Sequence, residues 1–410
     1  MTRTEERLAD ALAAVARGVR EETLPPLGGR DTARGGRGTA HRRRARRRWG
    51  RWLAPVAAAA GVTLVVVLAS TVHLFAPRQQ PARVAPPPGG LPRYYVSAES
   101  TGIQVRRTAT GAMTARISLF AGSPGPAAWA VGLAAGDHGR EFVAEYTGPK
   151  GHGGIATWLY SFHLTGAGRV AGLSLARGGL LRGVQGGSAV AVSPDGSKVA
   201  LTVYRPVKFG QPDLLQIAVI NLKTGARSYW SGGLDRPGFH VSIPSISWAP
   251  GGDSLVFLSQ WCRAVTPTGF CGPGVPAPQV RTLRVTGGGG QLSSGRVLLH
   301  GLVELSNVVQ ALLTPDGKAV DVVALSGQYR GKAHPVPQDL LLARLPLTPG
   351  GHARLLYHSD HGVVRSGGVV FLSSDASGRY LLLTSRRNGW IDHGRLRPLA
   401  QPSGAFTDAW

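Results

Sequence analysis

The chain has 410 residues, 43% hydrophobic and 17% charged, with 46 Lys and Arg against 22 Asp and Glu and a formal net charge of +24. It is long enough to bury a large core, and its two cysteines give only a weak signal for zinc. The charge divides unevenly. Residues 1–51 hold 14 Arg against 6 acids, and the rest hold 32 basic against 16 acidic residues, a poor supply for paired acid–base chemistry.

In chain order, Thr4 caps a predicted helix over 4–22, with Glu5 and Glu6 in its first turn and Leu8, Leu12, Val15 and Val19 on one side. So short a helix is marginal alone in water, which leaves a fraying tail or a docking helix for a cytoplasmic protein. Residues 28–40 are rich in Gly and Arg and are expected to be disordered. Arg42, Arg43, Arg44, Arg46, Arg47, Arg48 and Arg51 follow, a topology signal and a contact for anionic lipid headgroups; no nucleic-acid-binding fold accompanies them. Residues 52–75 carry no formal charge, and as a helix they span roughly 36 Å, enough for a bilayer core of about 30 Å. The expectation is a retained signal-anchor with residues 1–51 cytoplasmic and the remainder outside, a cleaved signal peptide being the rival. A Pro/Gly linker, 76–92, leads to an extracytoplasmic domain over 93–410.

That domain repeats one phrase, apolar strand, tight turn, apolar strand. It turns at Ser193-Pro194-Asp195-Gly196, at Pro250-Gly251-Gly252-Asp253, at Pro315-Asp316-Gly317 and at Ser374-Asp375-Ala376-Ser377-Gly378. Proline presets the first bend, and Asp and Gly tolerate the rest. A weaker copy turns at Gly136-Asp137-His138-Gly139. Each phrase is followed by a second hairpin with Gly in its turn: Thr165-Gly166, Lys223-Thr224-Gly225, 287–290, Pro349-Gly350 and Asp392-His393-Gly394. Two hairpins make a four-stranded blade, and a period near 60 residues means a radial array. The apolar runs flanking the turns predict inner strands buried on both faces.

Before the first full unit, 93–98, 103–107 and 113–119 supply only three strands, matching the second to fourth strands of later units. The C-terminal Ala405-Phe406-Thr407-Asp408-Ala409-Trp410 resembles the inner-strand sequence Ser245-Ile246-Ser247-Trp248. The predicted fold is therefore an all-β, six-bladed propeller closed by Phe406 to Trp410, with five or seven blades as alternatives.

The phrases resemble the bacterial PD40/TolB-like, WD40-like propeller repeat, most closely at 246–253 and 191–201 and more weakly over about 93–410. That resemblance implies a propeller and leaves function open, since the family includes binding subunits and protease gating domains. The Arg-over-Lys bias with abundant Ala and Gly looks like a high-GC bacterial genome of actinobacterial type.

Cys262 and Cys271 lie in one external insertion, where a disulfide is the default in an oxidising compartment. The sequence has no G-x-S-x-G, H-E-x-x-H, P-loop or Gly-rich dinucleotide motif, so no catalytic residue, cofactor or metal is assigned. His358-Ser359-Asp360-His361 is read as a solvated loop rather than a metal site. The loops 204–213, 261–278 and 328–339 are expected to gather on one rim as the recognition surface. The leading expectation is a membrane-anchored module that binds an envelope protein or ligand on that rim. Two alternatives stand beside it. One is a transmembrane regulator whose layout looks like that of actinobacterial anti-sigma factors, with 4–22 binding a cytoplasmic factor. The other is a lactonase-type enzyme with Glu99, Glu145 or Glu304 converging on a metal in the channel.

Overall fold

The protein's structure, a computed structural model, describes residues 90–99, 102–119, 128–136, 141–150, 154–206, 214–234, 239–263, 277–299, 302, 308–326, 339–348, 351–359, 371–375, 378–384, 389–399 and 405–410. The expected helix 4–22, the span 52–75 and most of the linker lie outside these residues. Among the described residues no helix is long and apolar enough to cross a membrane.

Six blades are arranged in chain order. The first contains β1 (Tyr94–Glu99), β2 (Gly102–Arg107) and β3 (Met113–Ser118). The second is β4 (Trp129–Gly136), β5 (Glu141–Lys150), β6 (Gly154–Leu164) and β7 (Val170–Arg182). The third is β8 (Gln185–Val192), β9 (Lys198–Arg205), β10 (Leu214–Asn221) and β11 (Arg227–Ser231). The fourth is β12 (Phe239–Trp248), β13 (Ser254–Arg263) and β14 (Gln279–Arg284), then a detour through β15 (Gly289–Gly290) and a 3-10 turn at Leu292–Ser294 before β16 (Arg296–Leu299). The fifth is β17 (Val308–Leu313), β18 (Ala319–Ser326), β19 (Asp339–Pro346) and β20 (Arg354–His358). The sixth is β21 (Phe371–Ser374), β22 (Leu381–Thr384), β23 (Gly389–Asp392) and β24 (Arg395–Pro398), and β25 (Ala405–Ala409) follows.

The ring closes as the sequence predicts. Strand β25 pairs antiparallel with β1, setting Val96 opposite Ala409, Ser97 opposite Asp408 and Ala98 opposite Thr407. The count is six, so the alternatives of five and seven fall. Phe406 takes no partner in this register; it sits in a bulge between Thr407 and Ala405. Trp410 is 2% exposed and meets the Tyr380 ring edge-on at 6.3 Å.

The repeat turns show why Pro, Asp and Gly recur. Asp195 accepts hydrogen bonds from the Ser193 hydroxyl (2.6 Å), the Ser197 hydroxyl (2.7 Å) and the Ser197 amide (3.1 Å), which hold its carboxyl down at about 2. Asp316 repeats this with Thr314 (2.6 Å) and the Lys318 amide (3.1 Å), and Asp375 accepts from the Tyr380 amide (2.7 Å). Gly196, Gly252, Gly317 and Gly378 all have φ between 66° and 71°. The turns also pack on one another around the ring. A Cβ added at Gly378 would lie 2.8 Å from Pro315, one at Gly317 would lie 3.1 Å from Pro250, and one at Gly252 would lie 4.0 Å from Pro194. In these three turns the glycine faces the proline of the preceding blade.

Two expectations need correction. The strands buried almost continuously are middle ones, such as β9, β10, β19 and β22; the inner strands β4, β12 and β17 mix buried and partly exposed positions. The reason is position: the inner strand has the ring's axial opening on one side, whereas the middle strands lie between neighbouring blades. In the fourth blade, 287–290 is no simple hairpin turn. Gly289 and Gly290 pair in parallel with Tyr229 and Trp230, adding a fifth strand to the third blade. A Cβ on Gly289 would lie 2.3 Å from the Tyr229 carbonyl oxygen, so glycine is what permits this approach.

Candidate functional site

Strand β7 is the longest in the molecule's described part, thirteen residues on the outer edge of the second blade. Its register against β6 shifts twice, and Gly172 and Gly178 take positive φ. Gly178 thereby approaches the third blade so closely that a Cβ there would lie 2.6 Å from the Gly225 oxygen. Two arginines lace the seam. Arg177 donates to the Lys223 carbonyl (2.7 Å), and Arg227 donates through Nε to Gly178 (3.0 Å) and through Nη2 to Leu180 (2.9 Å).

Beyond these bonds the blades part into a cleft of about 420 Å³. Leu180, Leu181, Val184 and Tyr229 give it an apolar lining, and Arg182, Arg205 and Arg227 give it three positive charges. All three arginines are exposed, and among the described residues none has a carboxylate within ion-pair distance. The surroundings reinforce the charge, since residues 146–234 hold nine Lys and Arg against two Asp and no Glu. One of those, Asp195, is committed to its own turn, and Asp213 lies outside the described residues. Pockets of this size with an apolar wall and a few charged groups are typical of binding sites.

Two of the cleft's arginines lie at the rim expected to carry recognition. Gln185 pairs with Tyr204, so Arg182 and Arg205 leave their strands at the same end of the ring. From that end depart the connections β9–β10, β13–β14 and β18–β19, most of whose residues lie outside those described. Sequence reasoning missed the arginines, which come from three strands on two blades. The acid-poor run from 146 to 234 is the signal that marks them.

The other expected sites resolve differently. Cys262 is on β13 opposite His240, and Cys271 is outside the described residues. Ser359 is buried and exchanges hydrogen bonds with Leu340 through both its amide (3.0 Å) and its hydroxyl (2.9 Å), so it is fixed by the fifth blade; Asp360 and His361 are not described. Glu99 accepts from Gln104 Nε2 (2.6 Å) and pairs with Arg116 (3.5 Å). Glu145 faces elsewhere. Its neighbour Tyr146 donates to the Gly102 carbonyl of the first blade (2.7 Å), so Glu145 points the opposite way, where its carboxyl packs against Gly186 of β8. These two carboxylates therefore do not converge, and Glu304 is outside the described residues. Among the described residues, no group of three or more His, Cys, Asp and Glu is placed to hold a metal.

No protein-family model matches the chain, and no curated protein matches it. Solved structures do match, and they include the propeller domain of a protease. The β-propeller domain of the Trilobed protease from Pyrococcus furiosus is 11% identical, over 66% of this chain and 71% of that one, with a TM-score of 0.35. A puromycin hydrolase is 16% identical, over 77% of this chain and 46% of its own, with a TM-score of 0.40. The extracellular region of Plexin A4 is 9% identical, over 73% and 50%, also at 0.40. The chain spans 33% of the length of a prolyl endopeptidase that it matches, at 18% identity and a TM-score of 0.33.

Proposed function

We propose that this chain is a membrane-anchored propeller that works as a binding module on the outer side of the cell membrane. The single observation that supports binding is the arginine-lined cleft between the second and third blades, whose three charges have no carboxylate partner among the described residues and lie over an apolar lining. The uncharged segment 52–75, flanked on its N-terminal side by seven arginines, supports the anchor and its orientation. In this reading residues 1–51 are cytoplasmic, and Cys262 and Cys271 form a disulfide in an oxidising compartment.

Protease added to intact spheroplasts tests it. The propeller should be digested while a tag placed before residue 51 survives, and protection of the C-terminal half would overturn the topology. In the same preparation, thiol labelling under denaturing, non-reducing conditions should find no free thiol. Two labelled cysteines per chain would exclude the bridge.

A further inference from the structure

We infer that the cleft between the second and third blades is a groove for an acidic peptide bound in extended conformation, its carboxylates on Arg182, Arg205 and Arg227 and its apolar side chains on Leu180 and Tyr229. The inference rests on the binding-module reading and names the ligand of that same site.

Length comes first. Arg227 lies opposite Ile220, and Ile220 lies opposite Val199 of β9. Arg205 is six residues further along that strand, roughly 20 Å at the usual rise. That is an offset of the backbone; the Arg227 guanidinium itself reaches across to Gly178 and Leu180, close in sequence to Arg182, so three cationic groups line one groove and suit a ligand with several anionic groups better than one small anion. Volume comes next. About 420 Å³ holds no more than about one turn of a helix 10 Å across, so the cleft receives the side chains of a segment laid along it.

Chemistry then selects among linear polyanions. Guanidinium forks take carboxylates and phosphates alike. The apolar lining separates them, because a phosphodiester polymer offers it little, whereas an extended peptide turns alternate side chains to opposite sides. A sequence alternating acidic and apolar residues meets both walls at once. Leu214 extends the apolar side. It sits opposite Arg205 on β10 and is 36% exposed. Arg227 is already anchored by two carbonyls, which leaves Nη1 for the ligand at little cost in side-chain freedom. The surrounding excess of basic residues favours capture of an acidic partner from a distance.

The test uses the full-length chain and fluorescence anisotropy with a labelled peptide of roughly eight residues, Glu alternating with Val, its Gln-for-Glu counterpart, and inorganic polyphosphate of equal charge as competitor. The alternating peptide should bind, weakening as salt rises, and the Gln counterpart should bind about ten-fold more weakly or worse. Arg182→Glu and Arg205→Glu should each weaken binding by about ten-fold, while Arg354→Glu, on the outer strand of the fifth blade, should leave it unchanged. Equal binding of the Gln counterpart, or indifference to both cleft substitutions in chains that melt like the parent, would overturn the proposal. Polyphosphate binding tighter than the peptide would also overturn it and assign the groove to a phosphate polymer. The competition arm needs no variant, and location is scored separately by the spheroplast experiment, so the two readings fail independently.

Discussion

Glu145 is the residue that composition would least place where it is. It is 0% exposed between the second and third blades, and among the described residues neither carboxyl oxygen has a hydrogen-bond partner. Nearby polar groups are already engaged: the Thr147 and Thr157 hydroxyls share a bond (3.0 Å), Thr157 donates to the Val184 carbonyl (3.1 Å), and the Gly186 amide donates to Thr147 (3.2 Å). Burial therefore pushes the Glu145 carboxyl well above its usual value of 4.5, so that it keeps its proton in the folded protein at pH values where the unfolded chain begins to lose it. The unfolded chain ionises it from about 4.5 upward, so in that range the native state binds more protons and stability falls as pH rises. Glu145→Gln removes the proton linkage at nearly constant shape. The expected outcome is that, as pH rises from about 5, the parent loses more melting temperature than the variant, measured by circular dichroism. Parallel curves would show that Glu145 is solvated or paired.

At the scale of the element, the tight turns make the sharpest prediction. Gly252 and Gly378 share the same positive φ, at which an L side chain costs roughly 1–2 kcal/mol. They differ in their neighbour, since a Cβ at Gly252 would sit 4.0 Å from Pro194 and one at Gly378 would sit 2.8 Å from Pro315. Gly252→Ala should therefore cost only the backbone strain, while Gly378→Ala should cost at least about 1 kcal/mol more, read as a lower urea midpoint. Equal midpoints would mean that the turn-on-turn contact carries no stability. These turns were legible in the sequence because Pro, Asp and Gly each act locally, through a fixed φ, a side chain bonded to its own turn, and a permitted positive φ. The fifth strand at Gly289 and Gly290 was not legible, for glycines have no side-chain period and the pairing partner Tyr229 lies sixty positions upstream. The cleft was hidden for a related reason. Arg182, Arg205 and Arg227 come together only when two blades pack, and no local motif records that packing.

Across the whole molecule, closure depends on the last few residues. β25 supplies the inner strand of a blade begun at Tyr94, and Asp408 on it accepts from the Thr384 hydroxyl of the sixth blade (3.1 Å). Burial raises that carboxyl to about 6, against the hydroxyls of Thr384 and Ser97 and the charge of Arg106, which lower it. Trp410 adds an aromatic anchor against Tyr380, itself edge-on to Trp390 at 5.7 Å. Together these groups join the first and sixth blades. Deleting residues 404–410 from the full chain would leave one edge of β1 with unpaired backbone groups and uncover apolar surface on both blades. Trimming an exposed tail, by contrast, stays within about 0.5 kcal/mol. The truncated chain should melt well below the parent or aggregate, and Trp410→Ala alone should cost about 3–5 kcal/mol, as for other buried Trp side chains. The point substitution keeps the strand, so it separates the anchor from the pairing. A truncated chain that melts with the parent would show that the ring holds without its last strand, and the six-bladed closure would then contribute geometry without stability.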